Sequence, residues 1–318
     1  MFQDYKVSYL RRNVAVREVK PQSFLRQSVA LVLSESHRAV PQASMFTEID
    51  MTPVVEYCKA NGLTRGAGRG DRSSRRETPR DLTAFLVKSI AHALYHVPCL
   101  NGFFDYTPIR NGGTLYYADD INLAVTVATS YGTISPFVHN PHLMEFDALV
   151  ARIKDLVARA RKTDPDELYL RCALAYLKEA MRECSPASFA ATWMLIRGLL
   201  KRRKPDPQFR DVPEEEKLKP EEVLGATCTF THLGVKVRGT QTGTLLVPPQ
   251  VCYFGAGDLR QAALVVDGKV EPRWVIDMMG AMDHRAFDAG EVYPFQRKFA
   301  RYIKKPELIY EWKTGGPI

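Results

Sequence analysis

Apolar residues recur along this chain at intervals that switch between three-or-four and two, and the switches mark its elements. Between 22 and 38, Phe24, Leu25, Val29, Val32 and Leu33 fall near a 3.6-residue spacing, which predicts a first amphipathic helix. "PRDLTAFLVKSIAHALYHVP" predicts a second, with Asp81 as its N-cap and Pro98 as its stop. In "MEFDALVARIKDLVARARK", Phe146, Leu149, Val150, Ile153, Leu156 and Val157 share one face of a third. Between the second and third, "INLAVTVAT" (121–129) alternates Ile121, Leu123, Val125 and Val127 with smaller or more polar residues, as a half-buried strand requires.

The C-terminal third is strand-rich. "TCTFTHLG", "TLLVPPQVCYFGAG" and "AALVVDGKVEPRWVIDMM" follow in order, and Asp267-Gly268 in the last predicts a hairpin turn. Helices and strands interleave without a regular β-α-β period, so the pattern predicts an α/β domain with a mixed sheet covered by helices. One segment departs from this texture. "LYLRCALAYLKEAMREC" (168–184) and "SPASFAATWMLIRGLLKRRK" (185–204) predict a helical hairpin, Ser185 capping the second helix with Pro186 in its first turn. A Pro-rich, charged stretch follows. The expected organisation is a single domain over 1–318, interrupted by an insertion at about 168–213.

Composition changes this picture little: of 318 residues, 45% are hydrophobic and 25% charged, as in ordinary globular proteins. The first residues hold no apolar core of a secretory signal, and "SFAATWMLIRGLL" is broken by Arg197 before it reaches spanning length. Six cysteines without a C-x-x-C pair predict reduced thiols in a cytoplasmic protein. The net charge of +8 gathers in "RGAGRGDRSSRRETPR" (65–80) and "KRRK" (201–204). Neither run carries interleaved aromatics and no finger or helix-turn-helix pattern appears, so nucleic acid is not an expected partner. A solvated loop and a solvated helix end are the plainer reading. "GAGRG" lacks the spacing and the preceding strand of a dinucleotide fingerprint.

Candidate chemistry centres on "MDHRAFDAG" (282–290), where His284 and Asp288 stand four apart. That spacing alone is weak, since a loop histidine often has no catalytic task. His92 and His96, four apart on a predicted helix, have metal-ligand spacing. No third ligand accompanies them, and their apolar neighbours predict packing instead. Cys228 is read as buried in a strand rather than as a nucleophile.

Order gives these residues more weight. "TEIDMTPVVEYCK", "LTAFLVKSIAHAL", "INLAVTVATSYGTISPFV", "GATCTFTHLG", "PPQVCYFGAG", "VVDGKVEPR" and "MDHRAFDAG" together resemble the catalytic domain of the acyltransferase (E2) component of 2-oxo acid dehydrogenase complexes. The resemblance runs from roughly 20 to 308. It implies a chloramphenicol acetyltransferase-like two-layer sandwich, a homotrimer, and acyl transfer between coenzyme A and dihydrolipoamide. In that chemistry a thiol with a pKa of about 8.5 needs a base, and a histidine near 6.5 is neutral enough to serve. The resemblance assigns the base to His284 and the oxyanion-stabilising hydroxyl to Thr231, where the family usually has Ser followed by Asn and this chain has Thr followed by His232. Asp288 takes the acidic position that supports the loop and in the family pairs with an arginine on the first helix. That arginine falls at Val32 here. The family's His after Pro is Gln42, and its Gly after the acidic residue is Ala289.

The resemblance further implies coenzyme A or acyl-CoA as substrate, no metal, and no lipoyl group on this chain, since only about 20 residues precede the match. The lipoyl group would come on a separate carrier or dehydrogenase component. An alternative from another class is a non-catalytic trimeric scaffold or regulator. For the apolar face of 185–204 three occupants compete: the coenzyme channel, a neighbouring subunit or partner protein, and an anionic membrane surface. Protein is the cheaper default, because each large side chain left exposed forgoes about 1.5–3 kcal/mol. The residues after "KKPELIY" are expected to obstruct assembly beyond the trimer.

Overall fold

The computed structural model describes residues 2–20, 22–64, 78–106, 112–182, 207–235 and 243–318. Its strands are β1 (Gln42–Asp50), β2 (Gly102–Asp105), β3 (Thr114–Tyr117), β4 (Asn122–Val125), β5 (Val127–Ala128), β6 (Thr133–Ile134), β7 (Phe137–His139), β8 (Cys228–His232), β9 (Cys252–Ala256), β10 (Arg260–Val266) and β11 (Lys269–Asp283). The longer helices are α1 (Phe2–Asn13), α2 (Phe24–Ala39), α3 (Thr52–Ala60), α4 (Leu82–Tyr95), α5 (Phe146–Lys162), α6 (Pro165–Arg182) and α7 (Ala289–Lys304).

The expected mixed sheet forms, in the order β1-β11-β9-β8-β4-β7, with β10 also paired to β11. β8 runs parallel to both β4 and β9, while β11 is antiparallel to β1, β9 and β10. Asp267 (φ 48°) and Gly268 (φ 78°) both occupy the left-handed region, as a two-residue hairpin turn of the type I′ kind demands. That turn sets Val266 opposite Lys269 and so fixes the register of the whole of β11.

Helix α4 lies at the centre of the helical layer, where every residue except Thr83 and Tyr95 is buried. It packs against α5 and α7. Its buried polar groups are partnered unevenly, and Ser89 Oγ and His92 Nε2 accept or donate no hydrogen bond among the described residues. The Lys88 ammonium donates to the Met144 carbonyl and sits 4.2 Å from the centre of the Trp312 ring, and burial pulls its pKa down to about 8. His92 stands edge-on to Tyr302 and Trp312, at 5.5 and 5.7 Å between ring centres. This is the packing role its apolar neighbours predicted.

Several elements differ from the pattern-based expectation. The segment 121–129 is two strands: β4 joins the main sheet, β5 turns away to pair with β6, and between them the Thr126 amide donates to the Phe230 carbonyl. Helix α6 begins before 168, and its Leu168, Leu170 and Cys172 are buried. Asp166 in its first turn accepts from the Leu25 amide at 2.8 Å, tying it to α2. The front of this helix is thus part of the core and not a projecting arm. The rest of the expected hairpin (185–204), the "KRRK" run and the "GAGRG" run lie outside the described residues. Among the described residues no helix is long and apolar enough to cross a membrane.

The buried histidine carries a pH dependence of fixed sign. Burial first, then the neighbouring Lys88, His142 and His96, lower His92 to about 3, against 6.5 for an ordinary histidine. The unfolded chain therefore binds more protons between those values, and stability falls as pH drops through that window. His92→Phe should lessen the loss of stability between pH 6.5 and 4.5 by roughly 2–3 kcal/mol, at about 1.4 kcal/mol per pH unit. Urea denaturation across that range checks it, and an acid slope identical to the parent's would remove His92 as its cause.

Candidate active site

Strand β11 ends at Asp283, and His284 is the next residue. The backbone around it is held from three directions. The Asp283 amide donates to the Val251 carbonyl (3.0 Å), and the His284 amide to the Pro41 carbonyl (3.1 Å) between α2 and β1. Asp283 is only 2% exposed, and its carboxylate is filled by Arg285: backbone N at 3.0 Å, Nε at 2.9 Å and Nη2 at 2.7 Å. The remaining guanidinium nitrogen, Nη1, donates to the Ala39 carbonyl at 2.9 Å, satisfying an end of α2 that has no helical partner. The face of the guanidinium lies 5.4 Å from the Phe104 ring centre and 4.6 Å from that of Tyr106. Asp283 and Arg285 thus bracket the histidine, a role that sequence reasoning did not assign.

The His284 side chain remains half-exposed (49%), and its Nδ1 is 3.2 Å from Asp288 Oδ1. Asp288 is the N-cap of α7; its amide donates to Glu291 Oε2 (2.8 Å), and its backbone carbonyl accepts from the Glu291 amide (3.1 Å). Its carboxylate is therefore presented to the imidazole from a fixed helix end. Where the resemblance led one to look for an arginine on α2, Val32 stands 41% exposed. Among the described residues, the His284 imidazole is the basic side chain within ion-pair distance of Asp288.

Gln42 has a different task from the histidine found there in the family. Its Nε2 donates to the Thr244 carbonyl (3.0 Å), and its Oε1 accepts from the Leu246 amide (2.7 Å). Both ends of the amide are spent holding the 244–246 backbone against the start of β1. Ala289 opens α7 without a left-handed backbone, so the family's glycine is not required by this conformation.

Thr231 sits near the end of β8, buried, with its Oγ1 2.6 Å from Thr126 Oγ1. The next residue, His232, places its Nδ1 2.8 Å from Thr83 Oγ1 on α4. In the turn beyond, a Cβ on Gly234 would lie 2.0 Å from the Gly257 carbonyl oxygen, so only glycine lets the chain pass there. Cys228 projects from the opposite face to Thr231 and lies 3.4 Å, sulfur to sulfur, from Cys252. Burial keeps the Cys252 thiol well above its usual range. Both thiols are core groups, as was read for Cys228.

Register decides how His284 and Thr231 relate. Thr231 pairs with Gly255, and Gly255 pairs with Met279. His284 is five residues further along than Met279. Five residues at about 3.4 Å, and two strand spacings of about 4.8 Å, separate the two side chains by roughly 20 Å. One acyl centre cannot touch both groups of the same chain.

The family profile for 2-oxoacid dehydrogenases acyltransferase (catalytic domain) matches residues 15–168 and 209–311. The chain belongs to this family. It is 22% identical over 299 residues to the dihydrolipoyllysine-residue acetyltransferase component of the pyruvate dehydrogenase complex of Rickettsia bellii, covering 94% of this chain and 55% of that protein. It is 24% identical over 294 residues to the human mitochondrial dihydrolipoyllysine-residue succinyltransferase component of the 2-oxoglutarate dehydrogenase complex, covering 90% and 49%. The chain thus spans about half the length of the curated relatives it matches. Among solved structures it resembles the cubic core of a pyruvate dehydrogenase multienzyme complex, with a TM-score of 0.64, 19% identity, and 94% and 95% of the two chains covered. A probable dihydrolipoamide acetyltransferase from Listeria monocytogenes gives 0.63, 17%, 91% and 94%. The two-layer α/β fold implied by the motifs is the fold of these 2-oxoacid dehydrogenase acyltransferase cores.

The bracket around His284 can be tested by stability alone. Arg285→Ala would leave the Asp283 carboxylate buried without its cation and should cost about 3–5 kcal/mol in denaturant unfolding. Arg285→Lys restores charge but not the planar fork, and should fall between. A loss under about 1 kcal/mol for the alanine variant would show that the bracket does not hold the loop.

Proposed function

We propose that this chain transfers an acyl group between coenzyme A and a thiol acceptor, with His284 as general base and Thr231 as oxyanion donor. The observation that carries the reading is the half-exposed imidazole at the end of β11, with Nδ1 facing Asp288 Oδ1 at 3.2 Å. A neutral tautomer with its Nδ1–H on the Asp288 side would leave Nε2 its lone pair for a substrate thiol.

Nε2 takes the thiol proton as the sulfur attacks the thioester carbonyl, forming the new C–S bond. Asp288 supports the imidazolium. The carbonyl electrons move onto oxygen, where the Thr231 hydroxyl donates to the resulting oxyanion. Collapse breaks the old C–S bond, and the departing thiolate recovers its proton from Nε2. Charge and protons balance, and the transfer runs in either direction.

The 20 Å between His284 and Thr231 supports a site completed between copies, each chain supplying the base to one site and the hydroxyl to the next. A homotrimer with three such sites is the assembly we propose, with coenzyme A as substrate and the acceptor thiol a dihydrolipoyl group on a separate carrier. The single catalytic domain, its insertion at about 168–213 and a cytoplasmic setting belong to the same proposal. So does an end to assembly at the trimer: the Trp312 indole donates to the Pro317 carbonyl (3.1 Å), folding the tail back beside α4. Asp288, which lacks an arginine partner among the described residues, favours the second reading, a trimeric scaffold without catalysis.

His284→Ala should lower acyl transfer by roughly 10²–10⁴-fold in a folded protein. Thr231→Ala should lower kcat on the order of 10²-fold, whereas Thr231→Ser should stay near the parent. Unchanged turnover in the His284 variant would exclude it as base, and a parent protein that neither binds acetyl-CoA in calorimetry nor transfers acetyl groups would favour the scaffold. Light scattering should give about three times 35.9 kDa. A monomer at micromolar concentration contradicts a site shared between chains.

A further inference from the structure

A helix of twelve residues is marginal in water unless one of its faces is packed. α1 has that length, yet every side chain from Lys6 to Lys20 is exposed. The Val14 amide donates to the Leu10 carbonyl and continues the helical turn past Asn13. Val7, Leu10 and Val14, each about half-exposed, therefore form one apolar stripe at i, i+3 and i+7, with Lys6 and Arg11 on its two flanks. The segment is basic, with five Lys or Arg residues against two acidic ones between 2 and 20. A surface of matching chemistry lies on the β2–β3 hairpin. Phe103 and Tyr116 pair across it and stack at 4.9 Å between ring centres and 12° between planes, and both rings are exposed. Asp119 and Asp120 follow β3 and are exposed as well. The opposite face of the hairpin carries Phe104, which lies against Arg285.

We propose that the stripe of Val7, Leu10 and Val14 in one copy docks on the Phe103–Tyr116 face of the β2–β3 hairpin in a second copy, with Arg11 set against Asp119. The proposal rests on the site shared between copies given above. Position selects a second copy over the chain's own hairpin. Segment 2–20 leads into α2, whose Leu25 packs on the turn between β5 and β6: its Cδ2 is 2.7 Å from where a Cβ on Gly132 would stand. β5 starts one residue after Thr126, the hydroxyl beside Thr231. The segment thus leaves its chain near the hydroxyl half-site. The hairpin stands at the base half-site, because Arg285, next to His284, lies on Phe104 and Tyr106. In one chain those half-sites are roughly 20 Å apart. Where the hydroxyl of one copy meets the base of another, the segment and the hairpin come together. Chemistry agrees with place: an apolar stripe flanked by cations meets an aromatic stack bordered by carboxylates, and the ring faces themselves attract cations. Docked in this way, the segment ties the chain that supplies Thr231 to the loop that carries its neighbour's His284.

The test places a benzophenone amino acid at Leu10 of the full chain and irradiates the assembled protein. A covalent dimer should form, and mass spectrometry should map the link to residues 102–120 of the second copy. Charge reversal gives an independent readout on residues that are exposed and so do not endanger folding. Arg11→Glu and Asp119→Arg should each raise the dissociation constant of the trimer by about 10-fold in sedimentation at low salt. Combined, they should return it to within about threefold of the parent, because the two charges act through one contact. A link inside one chain, a link to any other part of the second copy, no link in an assembled trimer, or charge effects that add instead of cancelling would overturn the docking and leave the shared site standing. A parent protein that stays monomeric would overturn the shared site itself, and the docking with it.

Discussion

A paired strand slides only in whole residues, and a slip of one turns every side chain to the other face. That constraint governs this molecule. Met279, Gly255 and Thr231 lie on one line across β11, β9 and β8, and the two-residue turn at Asp267-Gly268 holds β11 in that register. The separation between His284 and Thr231 is thereby a property of the sheet. No rotamer change in a long side chain closes a gap of roughly 20 Å. Each chain carries two half-sites at fixed places, and the chemistry proposed for them depends on how copies meet.

The two ion pairs at the end of β11 differ in what they contribute. The His284–Asp288 pair is exposed, with Asp288 at 84%, and pairs of that kind add little to stability. Its value in the proposed mechanism is directional, since it sets Nδ1 toward Asp288 and leaves Nε2 for the thiol. The Asp283–Arg285 pair is buried, bidentate and further tied to Ala39, so it fixes the backbone on both sides of the histidine. Precision comes from the buried pair and orientation from the exposed one. This division accounts for the tolerance of Val32 on α2. With the loop already held by Arg285 and by the start of α7, an arginine reaching Asp288 from α2 is not the contact on which the position of His284 depends.

Sequence pattern reached those parts of the fold that are local. Three helices, the turn at Asp267-Gly268 and the mixed character of the sheet follow from spacing and turn chemistry within a few residues. Helix α7 did not, although Val292, Phe295, Phe299, Tyr302 and Ile303 line one buried face. Pro294 lies inside its second turn, past the free amides of the helix start, and the helix runs through it. His284, Asp288 and Thr231 enter the proposal through ordered motifs, and the structure adds the partners around them. The contacts of Arg285 and Thr126 were not legible, because their partners are distant in sequence: Ala39, Phe104 and Tyr106 for Arg285, and Thr231 on the neighbouring strand for Thr126. A weak signal did exist in the Asp and Arg flanking His284, two residues apart and of opposite charge.

The same distinction bears on the choice of threonine at 231. A β-branched side chain on a strand has restricted χ1 freedom, so its oxygen stays where the backbone puts it. A serine in the same place can move its oxygen between wells. In the proposed site shared between chains, a fixed oxygen is an advantage only if its one proton remains free to turn. Thr126 Oγ1, 2.6 Å from Thr231 Oγ1, is a hydroxyl with which either oxygen can be the donor. The threonine methyl thus limits where the oxygen sits, and the neighbouring hydroxyl leaves its proton a choice of direction.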